Sequence, residues 1–205
     1  MSTTPHHRQA SFSGKSLPRK PRNADVRPRE YLTAEEVARL IRTARGLGRH
    51  GHRDATLILM MYRHGLRVSE AIALRWDMVD LSQGRLHVVR RKRGLPSVHP
   101  LRGPQLRALR RLQRASLPSC YLFVSERGAP LGDSAVRKMI ARAGQHAGFA
   151  FPIHPHMLRH ATGYQLANAG HDTRAIQHFL GHRNIQHTVR YTQLSTMAFR
   201  NFWHD

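Results

Sequence analysis

Residues 154–191 read HPHMLRHATGYQLANAGHDTRAIQHFLGHRNIQHTVRY and decide the fold of the chain. Their first part predicts a helix, because apolar side chains recur every three or four positions. That stripe consists of Leu158, Thr162, Leu166 and Ala169. His156 and Arg159 are three positions apart, so they lie together on a different face of the same helix. The pattern therefore presents an imidazole and a guanidinium as a pair.

Two shorter helices are expected after this one. Asp172 predicts the N-cap of the first, and Gly181 predicts its end, which holds His182 immediately beyond a helix terminus. Asn184 can cap one further turn, and Tyr191 follows His182 by nine positions. The predicted inward-facing positions are Ile176, Phe179, Leu180, Ile185 and Val189.

A tyrosine oxygen can attack a phosphodiester and become its covalent carrier if two further conditions are met. Cations must stabilise charge on the phosphate oxygens, and an acid must protonate the leaving oxygen. Arginine suits the first role because its planar fork binds phosphate oxygens bidentately. A second arginine occurs in GLRVSE at positions 65–70, where Gly65 predicts a turn and Arg67 opens a helix that carries Glu70.

Residues 84–101 alternate as a two-stranded hairpin does, with RRKRG at positions 90–94 as its tip. Lys92 is the candidate acid within this tip. An arginine in or near this tip could instead contact a phosphate backbone. The candidates for such contacts are Arg63, Arg90, Arg91 and Arg93.

Taken in order, these motifs resemble those of the tyrosine recombinase (phage integrase) family. The family pattern is an arginine in G-L-R-x-S-E, a lysine on a β-hairpin, H-x-x-R, L-G-H and a tyrosine about nine residues later. Each motif alone is weak, but the ordered set is specific, and the resemblance covers roughly residues 30–195. HPHMLRH, LANAGHDTRAIQ and LGHRNIQHTV are most similar to the short recombinases that invert promoter elements of bacterial fimbrial operons.

The resemblance implies a two-step DNA transesterification with no metal or other cofactor. The implied catalytic residues are Arg67, Lys92, His156, Arg159, His182 and Tyr191, with Glu70 as a partner that orients them. Tyr191 would form a 3′-phosphotyrosyl link while the two arginines bind non-bridging oxygens and His182 donates a hydrogen bond. Lys92 would protonate the departing 5′ oxygen, and His156 would assist proton removal from the phenol.

The resemblance also implies the partners: double-stranded DNA with specific recombination sites, a homotetramer assembled on that DNA, and DNA-bending accessory proteins. Charge supports a polyanionic partner, since 34 Lys and Arg residues against 12 Asp and Glu residues give a net charge of +22. A ribosome-associated or merely basic protein is the alternative that charge leaves open. A single cysteine and the lack of a long apolar run predict a cytoplasmic protein without a membrane segment. The resemblance implies that it is bacterial and nucleoid-associated.

The expected fold is mostly α with a small antiparallel β-sheet, the α+β class of a tyrosine recombinase catalytic domain. Residues 1–30 predict a disordered basic arm, residues 31–193 the catalytic domain, and residues 194–205 a helical tail that could be exchanged between subunits. Thr33 and Glu36 predict a capping box for the first helix. Further helices are expected at about 53–64, 68–74, 103–115 and 133–147, the last capped by Asp133 or Ser134, with a strand at 121–124.

Other functions remain open at this point. Histidine pairs at helical spacing, 156 with 160 and 178 with 182, are compatible with a zinc site, although cysteine pairs and nearby carboxylates are scarce. The tyrosine chemistry would equally serve an integrase or excisionase-type recombinase of a mobile element, or a type IB topoisomerase-like enzyme. A DNA-binding protein that kept the fold without turnover is the remaining alternative.

Overall fold

The computed structural model describes residues 29–90, 95–115 and 118–193. Over these ranges the chain is mostly helical with one small antiparallel sheet, as the sequence predicts. Residues 1–28 of the predicted arm and all of the predicted tail lie outside the described residues. The last two arm residues are described, and both form ion pairs: Arg29 with Glu36, and Glu30 with Arg190.

The helices pack around one central member. They are α1 (Ala34–Gly46), α2 (Gly51–His64), α3 (Val68–Ala71), α4 (Gly103–Ala115), α5 (Asp133–His146), α6 (Pro155–Asn168), α7 (Thr173–Leu180) and α8 (Gln186–Gln193), with a 3-10 turn at Trp76–Met78. Helix α2 contacts α1, α4 and α6. It is buried on nearly every face, which explains why its sequence shows a weaker polar stripe than the surface helices do.

Local hydrogen bonds set several of the helix ends where the sequence predicts them. The Glu36 amide donates to the Thr33 hydroxyl at 3.2 Å, and the Thr33 amide donates to the Glu36 carboxylate at 2.8 Å, which confirms the capping box. Asp172 accepts from the first amides of α7. Gly65 and Gly181 end α2 and α7 with φ of 58° and 66°, a region that favours glycine.

The sheet is a three-stranded antiparallel meander of β1 (Val79–Asp80), β2 (Arg85–Val88) and β3 (Ser97–Pro100). The predicted hairpin corresponds to β2 and β3, with Arg85 opposite Pro100 and Val88 opposite Ser97. The sequence did not predict β1, because two residues are too few to show an alternating pattern. Residues 91–94 at the hairpin tip lie outside the described residues.

Three element boundaries differ from the predictions. Helix α3 ends at Ala71 rather than at residue 74. Residues 121–124 form isolated bridges to Arg75 and Pro130 instead of a strand. Helix α5 begins after Gly132 without a side-chain cap, so the predicted capping by Asp133 or Ser134 is wrong.

A fourth difference concerns the helix that carries the candidate nucleophile. Thr188 and Tyr191 are its buried residues, whereas the predicted inward pair, Ile185 and Val189, is only half-buried. These two buried positions are three apart, so one helical face still points inward, but it is a different face from the one predicted.

The buried apolar side chains form two clusters. The larger one lies among α1, α2, α5, the start of α6 and the sheet. The smaller one joins α6, α7 and α8, and consists of Tyr164, Ala167, Ile176, Leu180 and Tyr191. In the described part of the chain, no helix is both long enough and apolar enough to cross a membrane.

Candidate active site

One carboxylate organises the centre of the site. Glu70 is only 3% exposed, and it accepts the Arg67 amide at 2.9 Å and the Arg67 guanidinium at 2.8 Å. Burial alone would raise the pKa of Glu70, but the hydrogen bonds from Arg67 and the charges of Arg90 and Arg159 outweigh it and hold that pKa below its ordinary value. Glu70 is therefore ionised at neutral pH.

Arg159 reaches the same carboxylate from α6. Its guanidinium lies 3.9 Å from Glu70, donates to the Leu180 carbonyl at 2.6 Å, and also donates to the Gly65 carbonyl. These contacts connect the turn after α2 with the end of α7. Burial, followed by the charges of Arg67 and Arg90, lowers the pKa of Arg159 to about 9, so it remains cationic at neutral pH.

Arg90 completes a group that we call the arginine cluster: Arg67, Arg90 and Arg159 around Glu70. It donates to Glu70 at 2.9 Å and to the His64 carbonyl at 3.1 Å, and it contacts the carbonyls of Gly65 and Phe179. At 4% exposure, Arg90 is an interior residue. The prediction that it contacts DNA is therefore at odds with its position, because the carboxylate and carbonyls enclose its guanidinium.

The arginine cluster is short of negative charge. Three guanidinium groups face one carboxylate, which leaves about two positive charges uncompensated in a largely buried place. Such an excess is unfavourable without a counter-ion. Arg67 is the most exposed of the three, with 28% of its side chain accessible, so an anion would approach from its side.

The imidazole of His182 lies beside this positive centre. Gly181 turns the chain at the end of α7, and His182 Nδ1 then lies 2.9 Å from the buried hydroxyl of Thr188. A buried hydroxyl needs an acceptor, so we assign the hydroxyl as the donor to Nδ1, which leaves the proton of the neutral ring on Nε2. Burial and the charges of Arg159 and Arg67 lower the pKa of His182 to about 3, and the ring is neutral.

Tyr191 is held against α6 rather than exposed on its own helix. It is 2% exposed, and its hydroxyl lies 2.8 Å from Nδ1 of His160. Its ring lies on Gly163, where a Cβ atom would come within 2.6 Å of it, and it meets Tyr164 edge-on at 5.1 Å. Burial raises the pKa of Tyr191 although Arg159 and Arg190 act in the opposite direction, so the phenol is protonated at neutral pH.

His156 has a different setting from His160, one turn further along α6. It is exposed, and it lines a cleft together with Arg67, Ser69 and Arg137. Its ring contacts that of His160 edge-on at 4.5 Å. Loss of part of its hydration, followed by the charges of Arg159 and Arg67, lowers the pKa of His156.

The structure thus gathers five predicted residues and Glu70 at one place, and leaves others elsewhere. The gathered catalytic candidates are Arg67, His156, Arg159, His182 and Tyr191. Lys92, Arg91 and Arg93 lie outside the described residues. Arg63 is exposed in a separate cleft between α1 and α2.

The sequence offered His160 as a neighbour of His156 and as a possible zinc ligand, not as a partner of Tyr191, and it did not mark Thr188 at all. Histidine and threonine are common in helices, and no local motif marks His160 as a partner of Tyr191 or Thr188 as a partner of His182. The zinc alternative finds no ligand set, since no three His, Cys, Asp or Glu side chains are grouped for a metal within the ranges that the structure describes.

A buried phenol, neutral imidazoles and an arginine cluster short of negative charge are the groups needed by an enzyme that cleaves a phosphodiester with a tyrosine. The family comparison agrees with this class. The model of the phage integrase family matches residues 30–197, and the chain belongs to that family. It is a tyrosine-type site-specific recombinase.

Among its relatives are two fimbrial regulators. The chain is 44% identical to the type 1 fimbriae regulatory protein FimE of Escherichia coli K12, over 85% of this chain and 91% of that one. It is 40% identical to FimB of the same strain, over 88% and 92%. The tyrosine recombinase XerC of Chromohalobacter salexigens is 36% identical, and this chain spans 59% of it.

Solved structures share the fold. The XerA recombinase superposes with a TM-score of 0.72 at 30% identity, covering 84% of this chain and 63% of that one. XerH, in a post-cleavage complex with its difH substrate, gives the same TM-score at 21% identity, covering 83% and 51%. The chain therefore spans about half to three fifths of these larger recombinases and nearly all of the fimbrial regulators.

Proposed function

We propose that this protein is a DNA invertase that switches a promoter element of fimbrial type by cutting and rejoining double-stranded DNA. The single observation that carries the chemistry is the arginine cluster with Tyr191 and His182 beside it. The similarity to FimE and FimB over nine tenths of their lengths supports the fimbrial assignment. The net charge of +22 supports DNA as the partner.

In the first step, the Tyr191 oxygen attacks the scissile phosphorus, and the bond to the 5′ oxygen breaks. Arg67 binds a non-bridging oxygen directly, while the more deeply buried Arg159 stabilises the developing charge from beneath. His182 donates from Nε2 to the same phosphate, in keeping with the tautomer that Thr188 imposes. Lys92 protonates the departing 5′ oxygen.

The second step reverses the first with a different DNA strand. A 5′ hydroxyl attacks the 3′-phosphotyrosyl phosphorus, the phenol departs, and the strand is sealed. The ester conserves the energy of the original bond, so no nucleotide cofactor is needed. The excess positive charge of the arginine cluster supplies the electrostatic stabilisation that paired metal ions provide in many nucleases.

We assign supporting roles to the remaining residues. Glu70 orients Arg67 through two hydrogen bonds and moderates the repulsion among the three arginines. Arg90 positions the hairpin against the turn that carries Arg67. Arg63, Arg91 and Arg93 remain candidates for contact with the DNA backbone, where they would add affinity rather than chemistry.

Recombination joins two duplexes, so we propose that the active form is a homotetramer on DNA. The 194–205 tail is the segment that would dock on a neighbouring subunit, and the basic arm would add contacts to phosphates. Accessory proteins that bend DNA would help bring two distant sites together. We further propose that the protein acts in the bacterial cytoplasm and associates with the nucleoid.

The covalent intermediate provides the first test. The protein is incubated with fragmented host genomic DNA in the presence of EDTA, and covalently bound fragments are sequenced to map the cleavage site. A duplex with that site should then yield a protein–DNA adduct that Tyr191→Phe abolishes and Tyr121→Phe retains. An adduct that persists in Tyr191→Phe would contradict the assigned nucleophile.

The outcome of recombination is tested on plasmids. Two copies of the mapped site in inverted orientation should give inversion of the intervening segment, and copies in direct orientation should recombine poorly. Relaxation of supercoils without exchange would indicate a topoisomerase-like enzyme instead. Efficient excision from direct repeats would favour a recombinase of a mobile element.

A further inference from the structure

The phenol of Tyr191 has one hydrogen-bonding partner in the described part of the chain, and it is not the histidine of the H-x-x-R motif. The partner is His160, whose Nδ1 lies 2.8 Å from the phenolic oxygen. His156 faces the exposed cleft beside Arg67, and its ring meets the ring of His160 edge-on. The proton that must leave Tyr191 is therefore in contact with His160.

The direction of this hydrogen bond follows from burial. Both side chains are enclosed, with exposures of 2% for Tyr191 and 8% for His160. If the ring donated to the phenolic oxygen, the phenolic proton would be left without an acceptor in a place from which water is largely excluded, which is unfavourable. We therefore assign the phenol as donor and Nδ1 as acceptor, with the ring proton on Nε2.

The packing holds this geometry in place. Gly163 lets the Tyr191 ring lie directly on α6, one turn beyond His160, and Tyr164 closes its edge. Helix α6 thus contributes both the surface that positions the ring and the base that meets its hydroxyl. A residue larger than glycine at 163 would separate the two.

From this geometry we propose that His160 is the general base for the Tyr191 nucleophile, a role that rests on the proposed strand cleavage. As the phenolic oxygen forms its bond to phosphorus, its proton moves to Nδ1 of His160, and the bond to the 5′ oxygen breaks. The resulting imidazolium returns the proton to the phenol when the second strand attacks and Tyr191 departs. His156 would then contact the phosphate from the exposed cleft.

The charges around this pair oppose transfer of the proton to His160 until a phosphate is bound. His160 faces His156 and Arg159 of its own helix, His154 at the N-cap of that helix, and Arg190 of α8, and Tyr191 also faces Tyr164 and Glu30. Burial and these mostly positive neighbours lower the pKa of His160 to about 3. A phosphate placed at the arginine cluster offsets that positive field and makes an imidazolium acceptable.

The test compares single-turnover adduct formation on the mapped duplex for His160→Ala and His160→Asn. The asparagine can still accept a hydrogen bond from the phenol but cannot take its proton. We expect both variants to slow cleavage by about 10²–10⁴-fold, while His146→Ala, an exposed histidine on α5, is unchanged. A wild-type rate for His160→Asn would reduce His160 to a holding role and overturn the proposal.

Two chemical substitutions separate a base from a residue that merely supports the fold. A ring-fluorinated tyrosine at position 191 lowers the phenol pKa and should restore much of the rate in His160→Asn. A bridging 5′-phosphorothiolate at the scissile bond needs no protonation of its leaving group, so it should rescue Lys92→Ala and leave the His160 variants slow. Equal rescue of both by the phosphorothiolate would contradict the proposal.

The proposed function and this inference fail in different ways. If wild-type protein forms no adduct on any host DNA, the recombinase mechanism itself is at fault. If wild-type protein forms the adduct and the fluorinated tyrosine does not help His160→Asn, only the assignment of the base is at fault. Thermal unfolding and affinity for the duplex are measured for each variant to show that it folds and binds.

Discussion

Gly163 has no side chain, and Tyr191 packs where one would be. Its absent side chain makes room for the ring of Tyr191, and a Cβ atom there would lie 2.6–2.7 Å from three carbons of that ring. Glycine in the middle of a helix costs about 0.5–1 kcal/mol relative to alanine. The position thus gives up helix stability for close contact between α6 and the candidate nucleophile.

Gly163→Ala should therefore separate stability from activity. We expect the free energy of unfolding to change by no more than about 1–2 kcal/mol, because the gain in helix propensity offsets part of the steric cost. Adduct formation should fall by more than about tenfold, because displacement of the ring takes the hydroxyl away from His160.

Gly46→Ala is the matched control, since a Cβ atom at that helical position meets nothing within 4 Å. Single-turnover cleavage measures the rate of adduct formation in both variants, and urea unfolding measures their stability. Cleavage at the wild-type rate in Gly163→Ala would show that the ring need not lie where the structure places it.

One tie between the hairpin and the helices lies where β2 leads into the hairpin tip. Arg90 follows β2 and contacts Glu70 of α3, the carbonyls at the end of α2, and the Phe179 carbonyl of α7. Gly181 permits this approach, because a Cβ atom there would lie 2.7 Å from Arg90 Cγ. The ends of α2 and α7 and helix α3 therefore converge on Arg90.

Arg90→Met keeps much of the side-chain volume and removes the charge and the hydrogen bonds. Glu70 keeps Arg67 and Arg159, but the carbonyls of His64 and Phe179 lose a buried donor, at about 1–3 kcal/mol each. We expect the free energy of unfolding, measured by urea denaturation, to fall by roughly 2–4 kcal/mol. Arg85→Met, at an exposed position of the same hairpin, should leave the unfolding free energy within about 0.5 kcal/mol of wild type. Similar unfolding midpoints for the two variants would contradict the structural role of Arg90.

At the scale of the whole molecule, the interior contains several neutral histidines. His64 and His99 contact each other through their Nδ1 atoms at 3.2 Å, and each is 1% exposed. Burial, followed by the charges of His99 and Arg90, lowers the pKa of His64 to about 3. Burial, followed by the charge of Arg90, lowers the pKa of His99 to about 4. His160 and His182 are held neutral in the same way near the arginine cluster.

These histidines should make the fold acid-sensitive. Their pKa values are about 6.5 when unfolded and lower when folded, so the unfolded chain binds more protons between about pH 6.5 and 4. Stability must then rise with pH across that window and fall as the solution is acidified. At pH 5 one fully buried histidine should remove on the order of 2 kcal/mol relative to neutral pH.

Urea unfolding at pH 5 and pH 7.5 measures this loss. His99→Gln should reduce the difference between the two pH values, whereas His146→Gln should leave it unchanged, since His146 is exposed. Equal stability of the wild-type protein at both pH values would show that the interior histidines are protonated in the folded state.

Much of the fold and part of the site could be predicted from the sequence, because they depend on residues close together in the chain. The capping box at Thr33, the turns at Gly65 and Gly181 and the cap at Asp172 each involve groups a few positions apart. Helical periodicity likewise placed His156 and Arg159 on one helix. The order of the five motifs was enough to identify the family before any distance was known.

What the tertiary structure alone decided concerns contacts between distant segments. Arg159 reaches the Gly65 carbonyl across 94 positions, Arg90 reaches Glu70 across 20, and Tyr191 reaches His160 across 31. Local periodicity states which face of an element is apolar, but it does not state which buried polar groups will meet when two elements pack. The sequence by itself therefore determined the class of enzyme and pointed to Tyr191 as the candidate nucleophile, while packing decided that Arg90 is interior and that His160 meets the phenol.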